Sequence, residues 1–193
     1  MVLLLTKGET QAILTMKDAI KIVEEAFKEY ALGRTQMPLR VQIKIPERPL
    51  PIYHVLPAYV GGMKALGLKV AATPGAATGR STILVHDPDT AELLAIMDGA
   101  YVTSLRTGAV SGVATKYLAR EDAKTVGIFG LGSQAKTQLQ AMLEVRRIEK
   151  IKAYDIDPEK RSRFSREMSA ELGVEVVDVS SPREAVEGSG IIV

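Results

Sequence analysis

The sequence predicts an α/β protein in two parts: an α+β domain over residues 1–118, then a doubly wound parallel sheet, incomplete in this chain, over residues 119–193. Three observations predict it. Beyond Thr125, short apolar runs alternate with stretches of helical spacing, the pattern of βαβ units. Before Ser104, strand-like segments separated by turn residues follow two helical segments, as in a mostly antiparallel meander. Apolar residues make up 46% and charged residues 25% of the chain, the balance of a globular protein with a packed core.

The elements follow in order. Val2–Leu5 reads as a short strand. Thr6-x-x-Glu9 has the form of a capping box that opens a helix, and Thr15-x-x-Asp18 resembles a second. Ile20, Val23, Phe27 and Tyr30 recur at helical spacing, and Gly33 is a natural stop. The alternation RVQIKI from Arg40 to Ile45 predicts a strand. Ile52–Val55, Leu66–Ala72 and Thr82–His86 predict three more, and Asp87-Pro88-Asp89-Thr90 is turn chemistry ahead of a return strand at Leu93–Met97. From Ser104 a helix crowded with Gly108, Ala109, Ser111, Gly112 and Ala114 permits close approach of another backbone, either for packing or for a site. Then come a strand at Thr125–Phe129, a helix at Gln134–Val145 and a strand at Ile151–Tyr154. A helix at Pro158–Leu172 follows, with Pro158 suited to its first turn. The last elements are a strand at Val174–Val177, a short helix at Pro182–Glu187 and a strand from Ile191.

Several function classes fall away. The formal net charge of +2 favours neither a nucleic-acid binder nor a membrane-surface protein. With no cysteine there is no disulfide, thiolate metal site or cysteine nucleophile, and His54 and His86 are too few for a histidine-rich metal site. No apolar run approaches the roughly 18–20 residues of a membrane span. The opening MVLLLTKGE has no basic n-region and does not read as a signal peptide, so a cytoplasmic protein is expected.

The most informative stretch is Gly130-Leu131-Gly132-Ser133-Gln134-Ala135, a G-x-G-x-x-A turn between a buried strand and a helix. Gly130 makes the sharp turn, Gly132 leaves room for a pyrophosphate at the backbone, and Ala135 lets the helix lie close to the strand. Free N–H groups at the helix start attract phosphate. Asp155 ends the second strand, 25 positions beyond Gly130, where a carboxylate accepts hydrogen bonds from ribose hydroxyls. Strand, turn, helix and carboxylate together predict a Rossmann-type dinucleotide site. Asp155 and Asp157 disfavour a 2′-phosphate and so favour NAD, with NADP still open. Lys160, Arg161 and Arg163 read chiefly as the solvated face of a helix.

Candidates for chemistry precede the turn. Lys69 interrupts the apolar strand ALGLKVAAT: either it is buried with a partner, where its pKa falls and proton transfer becomes feasible, or it points outward from a half-exposed strand. Arg106 is in itself an ordinary helix arginine, Arg40 is unremarkable in isolation, and His54 reads first as a packing histidine.

The segments EEAFKEYALGRTQMPLR, LPAYVGGMKALGLKV, AIMDGAYVTSLRTGAVSGVATKYLAR and GIFGLGSQA resemble the ornithine cyclodeaminase/μ-crystallin family, most closely its archaeal-type alanine dehydrogenases. The resemblance runs through the whole chain. It implies that Arg40 and Arg106 hold a substrate carboxylate, that Lys69 lies beside the reacting carbon, and that Thr107 faces the cofactor phosphates with Gly130, Gly132, Ser133, Gln134 and Ala135. Thr82 is implied as a further cofactor contact, and His54 as a substrate-pocket residue where ornithine-type members carry an acid. The expected activity is NAD(P)-dependent oxidoreduction of a small amino or imino acid, as in alanine dehydrogenase or Δ1-pyrroline-2-carboxylate reductase. The alternatives are ornithine cyclodeamination with bound NAD, or dinucleotide and ligand binding without catalysis. No metal is implied. The first domain is expected to bind substrate and to form a homodimer through its sheet. A complete sheet of this type has about six strands, and four at most are visible before Val193. The chain is therefore expected to be a fragment or a truncated product, with a catalytic carboxylate of the family beyond its end.

Overall fold

The computed structural model describes residues 1–44, 46–47, 52–72 and 80–193. Two compact units are present: Met1–Thr15 with Lys21–Thr103, and Met16–Ile20 with Ser104–Val193.

The first unit begins with β1 (Leu3–Leu5) and α1 (Lys7–Ile13). The expected capping box is formed: Thr6 N–H donates to Glu9 Oε2 at 2.8 Å and Glu9 N–H to Thr6 Oγ1 at 3.4 Å, which satisfies two of the donors a helix start leaves open. Helix α2 (Met16–Ala31) is followed by Gly33 in the left-handed region, as its position after the last apolar residue predicts. The α2 stripe is buried at Ile20, whereas Phe27 and Tyr30 are exposed. Glu29 is buried near the end of α2 and accepts from Gly62 N–H at 2.7 Å, fixing the helix to the turn after β4.

The strands are β2 (Thr35–Gln36), β3 (Val41–Lys44), β4 (Ile52–Val60), β5 (Ala65–Ala72), β6 (Arg80–His86) and β7 (Leu93–Asp98). Their order is β1-β7-β6-β5-β4-β2, with β3 also on β4. All pairings are antiparallel except that of β1 with β7. The meander is as expected. The two-residue β2 carries too little pattern to be read from sequence, and Ile45, expected to end the third strand, lies outside the described residues. Pro57 falls in the stretch of β4 that neither β3 nor β2 pairs, a position that tolerates a residue without an N–H. The Asp87 turn forms, its carboxylate accepting from Asp89 and Thr90 N–H groups at 2.8 and 2.9 Å.

Helix α3 (Gly99–Leu118) begins five residues earlier than Ser104. Asp98 ends β7 and also caps α3, its carboxylate accepting from Ala100 N–H at 2.9 Å. In the second unit the small residues of α3 serve packing. A Cβ on Gly108 would run into the carbonyl of Thr137, and one on Gly112 would lie 3.2 Å from Ala141 Cβ. The C-terminal end of α3 is closed by Arg146, whose guanidinium donates to the carbonyls of Thr115, Lys116, Ala119 and Arg120 at 2.8–3.1 Å. The Thr115 and Arg120 carbonyls also accept from the Ala119 and Ala123 N–H groups, so the guanidinium adds a second, charged donor there.

The rest of this unit is β8 (Thr125–Phe129), α4 (Ala135–Val145), β9 (Lys150–Tyr154), α5 (Pro158–Leu172), β10 (Glu175–Asp178), α6 (Pro182–Val186) and β11 (Ile191–Ile192). Strands run in the order β10-β9-β8-β11, all parallel. This is the predicted doubly wound arrangement, with β8 and β9 central and buried through Val126, Ile128, Ile151 and Ala153. Asp157 caps α5 with Pro158 in its first turn, and Gly173 closes it in the left-handed region. Among the described residues no helix is long and apolar enough to cross a membrane.

Candidate active site and dinucleotide loop

The glycine turn lies at the carboxyl end of β8, where ligands of open α/β sheets bind. Gly130 has φ +80°, which a side chain would strain, and its N–H donates to the Tyr154 carbonyl at 3.0 Å. A Cβ built on Gly130 or Gly132 meets nothing within 4 Å. No described protein group occupies the space in front of this backbone, so the missing side chains serve something other than internal packing. Ala135, by contrast, is buried where α4 begins. Gln134 precedes α4 in αR geometry without capping it, rather than lying within the helix. Its Nε2 reaches Ser104 Oγ at 3.5 Å, while its Oε1 is buried without a hydrogen-bond partner among the described residues. Ser133 is exposed in the turn.

Asp155 follows β9, is only 8% exposed, and holds the loop directly. Its Oδ2 accepts from Leu131 N–H at 2.9 Å and from Lys160 Nζ at 2.6 Å, and its Oδ1 from Asp157 N–H at 3.2 Å. The Lys160 ammonium, followed by the Leu131 N–H, lowers the Asp155 pKa to about 2. A carboxylate offers about four lone-pair directions, so one remains on Oδ1. The Lys160 and Arg161 side chains are not a solvated helix face. Lys160 is the partner of Asp155, and Arg161 bonds Asp178 at 2.9 Å and the Asp155 carbonyl at 2.9 Å while lying over the Tyr154 ring. Arg163 is exposed.

On α3, Arg106 is exposed and Thr107 half-buried. Thr107 lies one turn after Ser104, the residue that meets Gln134, so this helix face adjoins the glycine turn.

The other candidates belong to the antiparallel sheet. His54 pairs with Gln42 and Ala71, and Lys69 with Leu56 and Ile83. Directly paired residues share a face, so His54 and Lys69 project from the same side as diagonal neighbours, about 7–8 Å apart between Cα atoms. Both are half-buried, and His54 Nδ1 is buried without a hydrogen-bond partner among the described residues. Arg40 is exposed just before β3, two positions from Gln42. Thr82 pairs with Val70 and so projects from the opposite face; Ser81, paired with Ala71, is on the Lys69 side. Strand parity locates Ser81, but only once the register is known. Lys160 is likewise hidden in the sequence as the partner of Asp155: it lies in the first turn of α5, the helix that Asp157 caps.

Among the described residues no group of histidine and carboxylate side chains is arranged to hold a metal ion. The model of the Ornithine cyclodeaminase/mu-crystallin family matches residues 2–193. The chain belongs to this family. An alanine dehydrogenase of Archaeoglobus fulgidus is 39% identical over 168 residues, covering 84% of this chain and 51% of that protein. The structure of Thermococcus litoralis Δ1-pyrroline-2-carboxylate reductase in complex with NADH and L-proline superposes with a TM-score of 0.92 at 43% identity, over 99% of this chain and 61% of that one. An archaeal alanine dehydrogenase dimer with bound NAD gives a TM-score of 0.86 at 35% identity, over 95% and 57% of the two chains. The chain thus spans between half and two thirds of the length of these family members.

Proposed function

We propose that this chain belongs to an NAD(P)-dependent oxidoreductase of a small amino or imino acid, with Δ1-pyrroline-2-carboxylate and the imine of pyruvate as the substrates to test first. The observation that carries the reading is the bare turn at Gly130 and Gly132 tied to Asp155 at the end of the second strand of a parallel sheet. These residues fit a nicotinamide dinucleotide. The backbone before α4 is uncovered, Asp155 keeps an acceptor for a ribose hydroxyl, and the Gln134 carbonyl is buried and unsatisfied. The likeness to relatives solved with NADH or NAD supports the same assignment.

A bound NAD(P)H supplies a hydride. The remaining chemistry falls to the side chains. Arg40 and Arg106 clamp the substrate carboxylate through guanidinium hydrogen bonds. Lys69 donates a hydrogen bond, and then a proton, to the imine nitrogen or carbonyl oxygen. His54, on the Lys69 face, borders the substrate side chain. A neutral imidazole pairs poorly with an ammonium group, which supports a neutral substrate side chain over ornithine. Thr107, Ser133, Gln134 and Ala135 complete the phosphate cradle. A homodimer through the antiparallel sheet belongs to the proposal. Val41 and Ile43, 56% and 53% exposed on the face opposite Lys69, support it, and light scattering at micromolar concentration tests it.

The deciding assay follows NADH absorbance with each imine. Oxidation of NADH with formation of proline or alanine is the expected result. Conversion of ornithine to proline and ammonia at constant NADH assigns cyclodeamination instead. Dinucleotide binding without turnover of any of these assigns a non-catalytic ligand-binding protein.

A further inference from the structure

We propose that His54 and Ser81, set on either side of Ala71, select a substrate with a hydroxyl on its side chain, so that a hydroxylated 2-imino acid is preferred to its plain hydrocarbon analogue. The inference rests on the oxidoreductase reading above and names the substrate class of that site.

Strand register builds the arrangement. Gln42 pairs with His54, His54 with Ala71, and Ala71 with Ser81, so these residues form one row across β3, β4, β5 and β6 on the Lys69 face. Gln42 is exposed at the outer end of the row. Ser81 ends it beside Gly99: a Cβ there would lie 2.6 Å from Ser81 Oγ, so the missing side chain makes room for the hydroxyl. His54 and Ser81 are two strand spacings apart, about 9–10 Å. Ala71 between them is small. A ligand group above it has an imidazole on one side and a hydroxyl on the other. Lys69, the next residue of β5 on this face, is diagonal to both.

Two features fix the chemistry. His54 Nδ1 is buried without a hydrogen-bond partner among the described residues, a cost that a hydrogen-bonding ligand group removes. Among the described strand residues, the Lys69 face carries Lys44 and Lys69 but no carboxylate, so a side-chain ammonium finds no partner there. A hydroxyl suits this row. It donates to an unprotonated Nδ1 or accepts from a protonated one, and Ser81 Oγ meets it in either sense. A methyl or methylene in the same place leaves Nδ1 unpaired. In the reaction the imine carbon takes the hydride of NADH, the nitrogen takes a proton, and the hydroxyl is unchanged.

The test supplies hydroxypyruvate, pyruvate or oxaloacetate with ammonia and NADH to the whole chain. Each imine forms with loss of water and is reduced to serine, alanine or aspartate. The kcat/KM for hydroxypyruvate should exceed that for pyruvate by about tenfold or more, the effect of leaving a buried polar group unpaired. His54→Leu should bring the ratio to within about threefold of unity, and His54→Asn, whose amide takes the place of Nδ1, should restore it, with melting curves to confirm folding. Ser81→Ala should lower the ratio about fivefold. Long-range proton–nitrogen spectra read binding without turnover, because NADH and an amino acid form a complex that cannot react. His54 and His86 are the two histidines, so the signal lost in His54→Asn is assigned directly. L-Serine should move the His54 Nδ1 signal, whereas L-alanine should leave it in place. Equal kcat/KM for hydroxypyruvate and pyruvate, a ratio that His54→Leu leaves unchanged, or turnover of Δ1-pyrroline-2-carboxylate alone overturns the proposal and leaves the oxidoreductase reading intact. A preference for oxaloacetate also overturns it and assigns the side chain to Lys44. Turnover of none of these imines, with no shift from either amino acid, overturns the broader reading, and this one with it.

Discussion

The two sheets carry their candidate residues in different ways. In the parallel sheet the candidate groups sit in turns at the carboxyl ends of two buried, adjacent strands. Gly130, Gly132 and Asp155 meet because β8 and β9 are adjacent and in register. In the antiparallel sheet the candidates lie within the strands, on half-exposed faces. Lys69 and His54, 15 positions apart, share a face only because β4 and β5 pair with Leu56 opposite Lys69. A slip of one residue would turn His54 away from Lys69. The turn candidates need two neighbouring strands to end level with each other, whereas the face candidates also need the pairing parity to be right.

That contrast can be broken by substitution, beginning with the largest effect. Lys69→Met should lower kcat for imine reduction about 10²–10⁴-fold, the range for loss of a general acid, with a melting curve as firm as that of the parent protein. A comparable activity in the variant would move the chemistry off the antiparallel sheet. Arg146→Ala should destabilise the second unit by about 3 kcal/mol, because four helix-end carbonyls lose a charged donor together; urea unfolding followed by circular dichroism measures it. Gly108→Val should cost about 1–3 kcal/mol through overpacking against the Thr137 backbone, read in the same unfolding experiment.

The smallest effect is electrostatic. The Asp155 pKa is lowered in the folded state to about 2, so the carboxylate contributes stability above its unfolded pKa, and that contribution is lost as pH falls from about 4 toward 2. Its size is of order 1–2 kcal/mol. Asp155→Asn should flatten the acid limb of a plot of unfolding free energy against pH, and an unchanged limb would show that the Lys160 pair adds nothing.

Legibility in the sequence follows the same division. The glycine turn, Asp155, the Thr6–Glu9 box and the Pro158 helix start are each determined by residues within a few positions, and local propensity agrees with the fold at each. Strand boundaries in the parallel sheet differ from expectation by a residue or so, as terminal residues commonly do. Residues with two duties or distant partners were hidden. Asp98 ends a strand and caps a helix, so α3 begins at Gly99, ahead of the crowded small residues that mark it from Ser104. Arg146 caps α3 across 26 to 31 positions of sequence. The opposite faces of Ser81 and Thr82 were unreadable until pairing fixed the parity of β6. Lys160 reads as solvated in the sequence because helical spacing shows which face a residue is on, but not that the buried Asp155 carboxylate lies beside it.

The most direct measurement is calorimetric titration of NADH into the unsubstituted chain and into Gly132→Val. A Cβ at Gly132 meets no protein atom, so the variant should melt as the parent does while a side chain blocks the approach of the pyrophosphate. The account predicts saturable binding to the parent and a loss of about tenfold or more in the variant. Equal affinity in both, or no heat of binding to the parent, would contradict it.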